Sequence, residues 1–214
     1  MDNLHDPSAN VFIRENTVCS LENVRAGRWW VMVTSAFQHN DFIHLGFNMI
    51  TLWSFGPLVV SAFGVPAFLA IYASSQTVCT AAFLGWQVRK EEVERWSVGR
   101  RWGDNGRQQQ KWLGWLYPKT DVDPGTRYFG SVGASGALSG LIAAWACFAP
   151  RSRVAILFVP MLAYKEMVAF VAGSLICMEG GYFPWIAHEA HLGGTVGGIL
   201  SYYALVRPWI RRIR

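Results

Sequence analysis

The sequence predicts an all-α bundle of transmembrane helices, and three observations support this prediction. Of the 214 residues, 52% are hydrophobic and only 15% are charged, whereas soluble domains carry about 25% charged residues. The mean hydropathy is +0.20. The charged residues crowd into the first 28 residues, the stretch 89–127 and the last eight residues. A lipid environment explains the apolar runs between them more simply than a water-soluble fold.

Five stretches approach the roughly 20 apolar residues that a membrane span needs. In chain order they are 42–62, 65–87 (after the breakers Gly64 and Pro66), 131–149, a helix within 154–178, and 187–206. Lys165 and Glu166 are costly in mid-membrane. We therefore expect 154–162 to be partly extended or re-entrant and the fourth helix to begin near Lys165.

These spans imply three regions. Residues 1–41 are predicted to form an extramembrane or interfacial segment, and residues 42–206 the membrane domain. A hydrophilic loop, 88–130, interrupts that domain, and residues 207–214 form a basic tail. The N-terminus carries no signal-peptide pattern. The four cysteines are Cys19, Cys79, Cys147 and Cys177; three of them lie inside apolar segments without CxxC spacing and are expected to be small buried residues.

The net charge is +5 and the pI about 9.2. Because the basic residues flank apolar runs, we expect a lipid bilayer rather than nucleic acid as the partner. The aromatic residues of 88–130 could stack on single-stranded nucleic acid, but a membrane-interface belt is the favoured interpretation.

Polar residues inside the predicted spans converge on one membrane face. Because spanning helices alternate in direction, the first, third and fifth must start from the same side. His44 and Asn48 open the first, Ser135 the third, and His188 and His191 the fifth. Polar groups at membrane depth are functional candidates.

This set of residues predicts nucleophilic catalysis by a Ser-His dyad. A serine hydroxyl needs a base within hydrogen-bond reach, and His191 can supply it if the third and fifth helices touch. Small residues four apart on each helix permit close contact: Gly136 and Gly140 on one, Gly194 and Gly198 on the other.

Further groups around Ser135 are suited to binding an oxyanion. His44 and Asn48 are four residues apart and so share a helix face. The N-terminal end of the third helix adds backbone N–H groups around Ser135. Glu189 is expected to point away from His191, so the site would lack the acid of a triad.

Other interpretations remain open. Ser135 alone could be a packing residue, His191 an interfacial histidine, and the His44–Asn48 pair a structural hydrogen bond. The run His188-Glu189-Ala190-His191 is one residue shorter than the zinc motif H-E-x-x-H, although histidines at i and i+3 can still chelate, with His44 as a third ligand. We predict no metal and no cofactor.

At these residues the chain resembles the rhomboid family of intramembrane serine proteases over about residues 30–206. The family motifs appear in order as His44-Leu-Gly-Phe-Asn48, Gly133-Ala-Ser-Gly136 and Ala190-His191-Leu-Gly-Gly194-Thr-Val-Gly-Gly198. The phrases Asn48-Met49, Leu52–Gly56 and Ala190–Gly194 are most similar to the mitochondrial, presenilin-associated branch. The family core has six helices, and we expect its first to be missing here.

The resemblance implies a function for each motif. Ser135 would be the nucleophile and His191 the general base, with His44, Asn48 and the Ser135 N–H as the oxyanion hole. His188, Gly133 and Gly136 would support the site. The expected substrates are transmembrane segments of membrane proteins, and the expected location is the mitochondrial inner membrane, with the membrane of another organelle as the alternative. The alternative is a catalytically inactive relative that binds or escorts membrane clients.

Overall fold

A computed structural model describes residues 7–100, 130–156, 159–183 and 186–213. The protein is mostly helical, and eight α-helices and one β-hairpin lie in these ranges. They are α1 (Pro7–Thr17), α2 (Leu21–Arg25), α3 (Val31–Thr34), α4 (Phe42–Arg100), α5 (Ser135–Phe148), β1 (Arg153–Ile156), β2 (Val159–Leu162), α6 (Ala163–Gly180), α7 (His188–Ser201) and α8 (Arg207–Ile213). A 3₁₀ turn, Ser35–Phe37, follows α3, and a π-helical turn, Tyr202–Val206, links α7 to α8.

Helix α4 consists of two arms joined at a sharp break. Gly64 has φ of 84° and ψ of 166°, a conformation that costs glycine little because it has no Cβ. Pro66 follows in the first turn of the second arm, where a missing N–H leaves no hydrogen bond unmade. The first arm (42–63) and the second arm (65–100) correspond to the first two predicted spans, and the predicted break is confirmed.

Helix α5 is the centre of the bundle. Eleven of its fourteen residues are buried, because its small side chains allow α4 and α7 to pack closely around it. Its far end packs Trp145 and Phe148 against Phe63, with the Phe63 and Phe148 rings 4.7 Å apart in an edge-to-face contact. Such aromatic pairs add to the stabilisation from apolar burial.

The helices around α5 alternate in direction. On the first arm of α4, His44 lies beside Gly133 and Phe63 beside Phe148, so that arm runs parallel to α5. On the second arm, Ser75 lies beside Gly140 and Cys79 beside Gly136, which gives the opposite direction. Helix α7 is again parallel to α5, because Gly194 meets Gly136 and Gly198 meets Gly140.

The N-terminal segment packs against the end of the bundle where α5 begins. Cys19 and Ser131 exchange two backbone hydrogen bonds, of 3.1 and 2.8 Å. The Gln87 side chain accepts a hydrogen bond from the Leu21 N–H. Cys19 is fully buried, and burial raises the pKa of its thiol to about 12. This thiol is therefore neutral at physiological pH, as expected of a packing residue.

Several predicted boundaries were wrong. Residues 88–100 continue α4 as helix instead of opening a loop; the remainder of the predicted 88–130 loop, up to 129, lies outside the described residues. The third helix begins at Ser135, not at 131, because Gly133 adopts φ of 107°. The predicted extended stretch before a helix near Lys165 is confirmed: strands β1 and β2 pair antiparallel, and α6 starts at Ala163. The fifth helix ends at Ser201 and continues as the π-helical turn.

One helix of the described part is long and apolar enough to cross a membrane, Phe42–Val93, and Ser135–Phe148 is a shorter apolar helix. The count of five spans therefore stays a prediction, as does the division at residues 41 and 206. Several large apolar side chains are exposed, including Phe42 (91% exposed) and Trp53 (84%). Exposed apolar surface of this kind fits contact with lipid or with another apolar partner.

We expect Gly194→Ala to lower the free energy of unfolding by about 2–3 kcal/mol, because the new Cβ would overlap the Gly136 carbonyl oxygen. Gly173→Ala is the control: it lies in α6, where a Cβ meets no atom within 4 Å. That change should be neutral or stabilise by up to about 1 kcal/mol. Unfolding in detergent micelles, followed by circular dichroism, measures both; equal stabilities would contradict the close packing of α5 and α7.

Candidate active site

The side chains of Ser135 and His191 form a hydrogen bond. The distance from Ser135 Oγ to His191 Nε2 is 2.8 Å, within the range for a nucleophile and its base. Ser135 is the first residue of α5, and His191 lies in the first turn of α7. Both side chains are half-buried, so they are shielded from bulk solvent but open to a bound molecule.

Glycines bring these two helices together. A Cβ on Gly194 would overlap the Gly136 carbonyl oxygen, and one on Gly198 would overlap the Gly140 carbonyl oxygen. The two backbones therefore touch at two successive turns, as small residues four apart allow. Since His191 is three residues before Gly194, this contact sets the distance between His191 and Ser135.

His44 and Asn48 lie on the same side of Ser135, on the first arm of α4. A Cβ placed on Gly133 would be 2.7 Å from both Cε1 and Nε2 of His44, so the imidazole packs directly on this glycine. Asn48 is buried (3% exposed) and donates one side-chain N–H to the His44 carbonyl oxygen over 2.9 Å. Its amide has a second N–H to donate.

The backbone just before Ser135 has a positive φ angle at Gly133. Gly133 has φ of 107°, and its N–H donates to the Ser35 carbonyl oxygen over 2.8 Å. This bend starts α5 at Ser135, where the first N–H groups of the helix have no intrahelical partner. They are available as donors beside the Ser135 hydroxyl.

The other histidine and acid of the α7 motif lie apart from the dyad. His188 is buried, and its Nε2 is 3.3 Å from the Tyr182 carbonyl oxygen. Its ring centroid is 6.3 Å from that of His191. Glu189 lines a cavity on the side of α7 that faces the second arm of α4. Across the ranges that the structure describes, no three His, Cys, Asp or Glu side chains are grouped to hold a metal ion.

Two residues near the site were missed by the sequence analysis. The His39 ring stands edge-to-face on His44, with centroids 5.1 Å apart, and Phe170 of α6 lies 5.5 Å from the His191 ring. A second histidine five residues before His44 was the available signal for His39. No sequence signal indicated Phe170, since its contact depends on how α6 packs against α7.

Comparison with known proteins identifies mitochondrial relatives. An uncharacterized mitochondrial rhomboid protein of Schizosaccharomyces pombe is 29% identical over 98% of this chain and 59% of its own length. The human presenilin-associated rhomboid-like protein, mitochondrial, is 29% identical over 78% of this chain and 36% of its length. Rhomboid protein 1, mitochondrial, of Saccharomyces cerevisiae is 29% identical over 79% of this chain and 40% of its own length.

The chain therefore covers about 36–59% of the length of these relatives. No solved structure matches the chain at a significant level. The predicted similarity to the mitochondrial, presenilin-associated branch is confirmed, and so is the predicted location as an integral protein of the mitochondrial inner membrane. The Rhomboid domain profile matches residues 26–208, and the chain belongs to the rhomboid family.

Proposed function

We propose that this protein is an intramembrane serine endopeptidase that cleaves transmembrane segments with a Ser135–His191 dyad. The observation that carries the proposal is the 2.8 Å hydrogen bond between Ser135 Oγ and His191 Nε2. A serine at the start of one helix and a histidine on a neighbouring helix make this contact only if their backbones pack closely. The family membership supports the same reaction class.

In the proposed reaction, Ser135 Oγ attacks a substrate carbonyl carbon while its proton passes to His191 Nε2. The imidazolium then donates that proton to the leaving amine, and an acyl-enzyme ester remains on Ser135. Water, deprotonated by His191, hydrolyses the ester and restores the serine. The imidazole acts as base and then as acid, so the cycle needs no metal or other cofactor.

Three groups are suited to stabilising the oxyanion of this reaction. The Ser135 backbone N–H lies at the start of α5, and the second side-chain N–H of Asn48 and the His44 imidazole lie on the facing arm of α4. Each preorganised donor of this kind contributes roughly 10²–10³-fold to the rate. Gly133 brings His44 close to Ser135, and His188 buttresses the start of α7.

The proposed substrate is a transmembrane helix of another protein that unwinds beside the first arm of α4. Phe42, Ile43 and Trp53 are highly exposed on this arm, and exposed apolar side chains of this kind suit contact with a membrane helix. Because helical carbonyl groups are hydrogen-bonded, the cleaved stretch should contain helix-breaking residues.

The same exposed apolar side chains support the second candidate function, a protein that binds or escorts membrane clients without cleaving them. Binding to Phe42 and Trp53 needs no nucleophile. The variant Ser135→Ala distinguishes the two functions, because a client-binding protein keeps its function and a protease loses it.

We expect a fluorophosphonate probe to label the detergent-solubilised protein on Ser135. In this reaction the Ser135 Oγ–P bond forms, the P–F bond breaks with release of fluoride, and the serine proton passes to His191. Ser135→Ala should abolish labelling, and His191→Ala should slow it by roughly 10²–10⁴-fold.

Asn48→Ala should slow labelling by roughly 10²–10³-fold. Circular dichroism shows whether each variant is folded. Absence of labelling in a folded wild-type protein would contradict the protease proposal and leave the client-binding function.

We also expect Gly133→Ala to slow phosphonylation by about tenfold or more, since one oxyanion donor is worth roughly 10²–10³-fold. The added methyl group would contact the His44 ring at 2.7 Å, at a backbone φ of 107° that alanine disfavours. Gly46→Ala is the control, because it lies two residues from His44 and its Cβ would meet no atom within 4 Å. Equal labelling rates for the two variants would contradict the role given to His44.

A further inference from the structure

The end of the bundle opposite Ser135, which we call the far end, is positively charged. It contains the end of α5, the β-hairpin, the start of α6 and helix α8. Its exposed basic side chains are Arg151, Arg153, Lys165, Arg207, Arg211 and Arg212. The acidic residue in the described part of this end is Glu166, whose side chain is only 5% exposed. Neither of its carboxylate oxygens accepts a hydrogen bond within the described ranges, so it does not neutralise an exposed arginine.

Two of these arginines line a cavity. A cavity of about 260 Å³ lies between α5 and α8, and its wall contains Arg207 and Arg211 together with Phe148, Tyr202 and Ile210. Because Arg207 and Arg211 are four residues apart on α8, their guanidinium groups share one face of the helix. The ion pairs among the described residues, Arg25–Glu91 and Arg28–Glu15, involve neither of them.

The backbone before α8 is shaped to present this pair. Pro208 has no N–H and its ring would crowd the Ala204 carbonyl group, and the preceding turn, Tyr202–Val206, is widened into a π-helix. Such turns often occur at functional positions. The Arg207 guanidinium lies 5.3 Å from the centre of the Tyr203 ring, and this cation–π contact orients it.

We propose that Arg207 and Arg211 bind the phosphate group of an anionic membrane lipid at this cavity. Two guanidinium groups offer planar, paired N–H donors that match phosphate oxygens. Phe148, Tyr202 and Ile210 give the cavity an apolar wall on which the first part of an acyl chain packs. A free phosphate ion would use the arginines but not this wall, so the geometry favours the lipid.

The test is lipid binding by the whole protein, measured by native mass spectrometry after reconstitution. Vesicles contain phosphatidylcholine alone or with about one-fifth phosphatidylglycerol. We expect the wild-type protein to retain a bound phosphatidylglycerol. The double variant Arg207→Gln, Arg211→Gln should bind this lipid more weakly by about tenfold or more. The charge-matched control, Arg151→Gln with Arg212→Gln, removes two far-end arginines outside the cavity wall and should change the affinity by less than about twofold. Circular dichroism verifies that both variants are folded.

Three results would overturn the proposal. Equal losses of lipid affinity in the two double variants would mean that lipid binding depends only on the overall charge of the far end. Equal retention of phosphatidylcholine, which carries the same phosphate but no net charge, would mean that the site does not select an anionic lipid. If inorganic phosphate displaced the lipid at comparable concentration, the site would be one for free phosphate. None of these results depends on whether Ser135 is catalytic.

Discussion

The close contact between the backbones of α5 and α7 determines the rest of this structure. Gly136 and Gly194 meet so closely that a Cβ on Gly194 would collide with the Gly136 carbonyl oxygen. In lipid, the hydrophobic effect gives helices little reason to associate, so association relies on close packing of small residues. The same contact that holds the two helices together brings Ser135 within 2.8 Å of His191, so bundle stability and dyad geometry have one origin.

The N-terminal segment supports the site at the end of the bundle where α5 begins. It binds the chain just before α5 through the Cys19–Ser131 backbone pair and the hydrogen bond from Gly133 N–H to Ser35. These contacts hold Gly133 against His44 and start α5 at Ser135. The structure therefore ties down the backbone around Ser135 and leaves apolar, exposed side chains on the first arm of α4, which suits the proposed binding of a substrate helix.

The sequence predicted the helical segments and the motif residues, because apolar runs and small-residue spacing leave clear patterns. It failed at 88–100, where the charged residues looked like a loop; glutamate, lysine and arginine are also good helix formers, and α4 extends to Arg100. The β-hairpin was expected only as an extended stretch, since strand pairing depends on contacts between segments. The Phe170–His191 and His39–His44 ring contacts depend likewise on tertiary packing that no local pattern encodes.

The central claim is that the glycine contact sets the reactive distance, and the rate of fluorophosphonate labelling of Gly194→Ala tests it most directly. If an added methyl group separates α5 from α7, labelling of Ser135 should slow by about tenfold or more, while the helix content of the protein and the labelling of Gly173→Ala stay unchanged. A Gly194→Ala protein that is folded and labels at the wild-type rate would contradict the account.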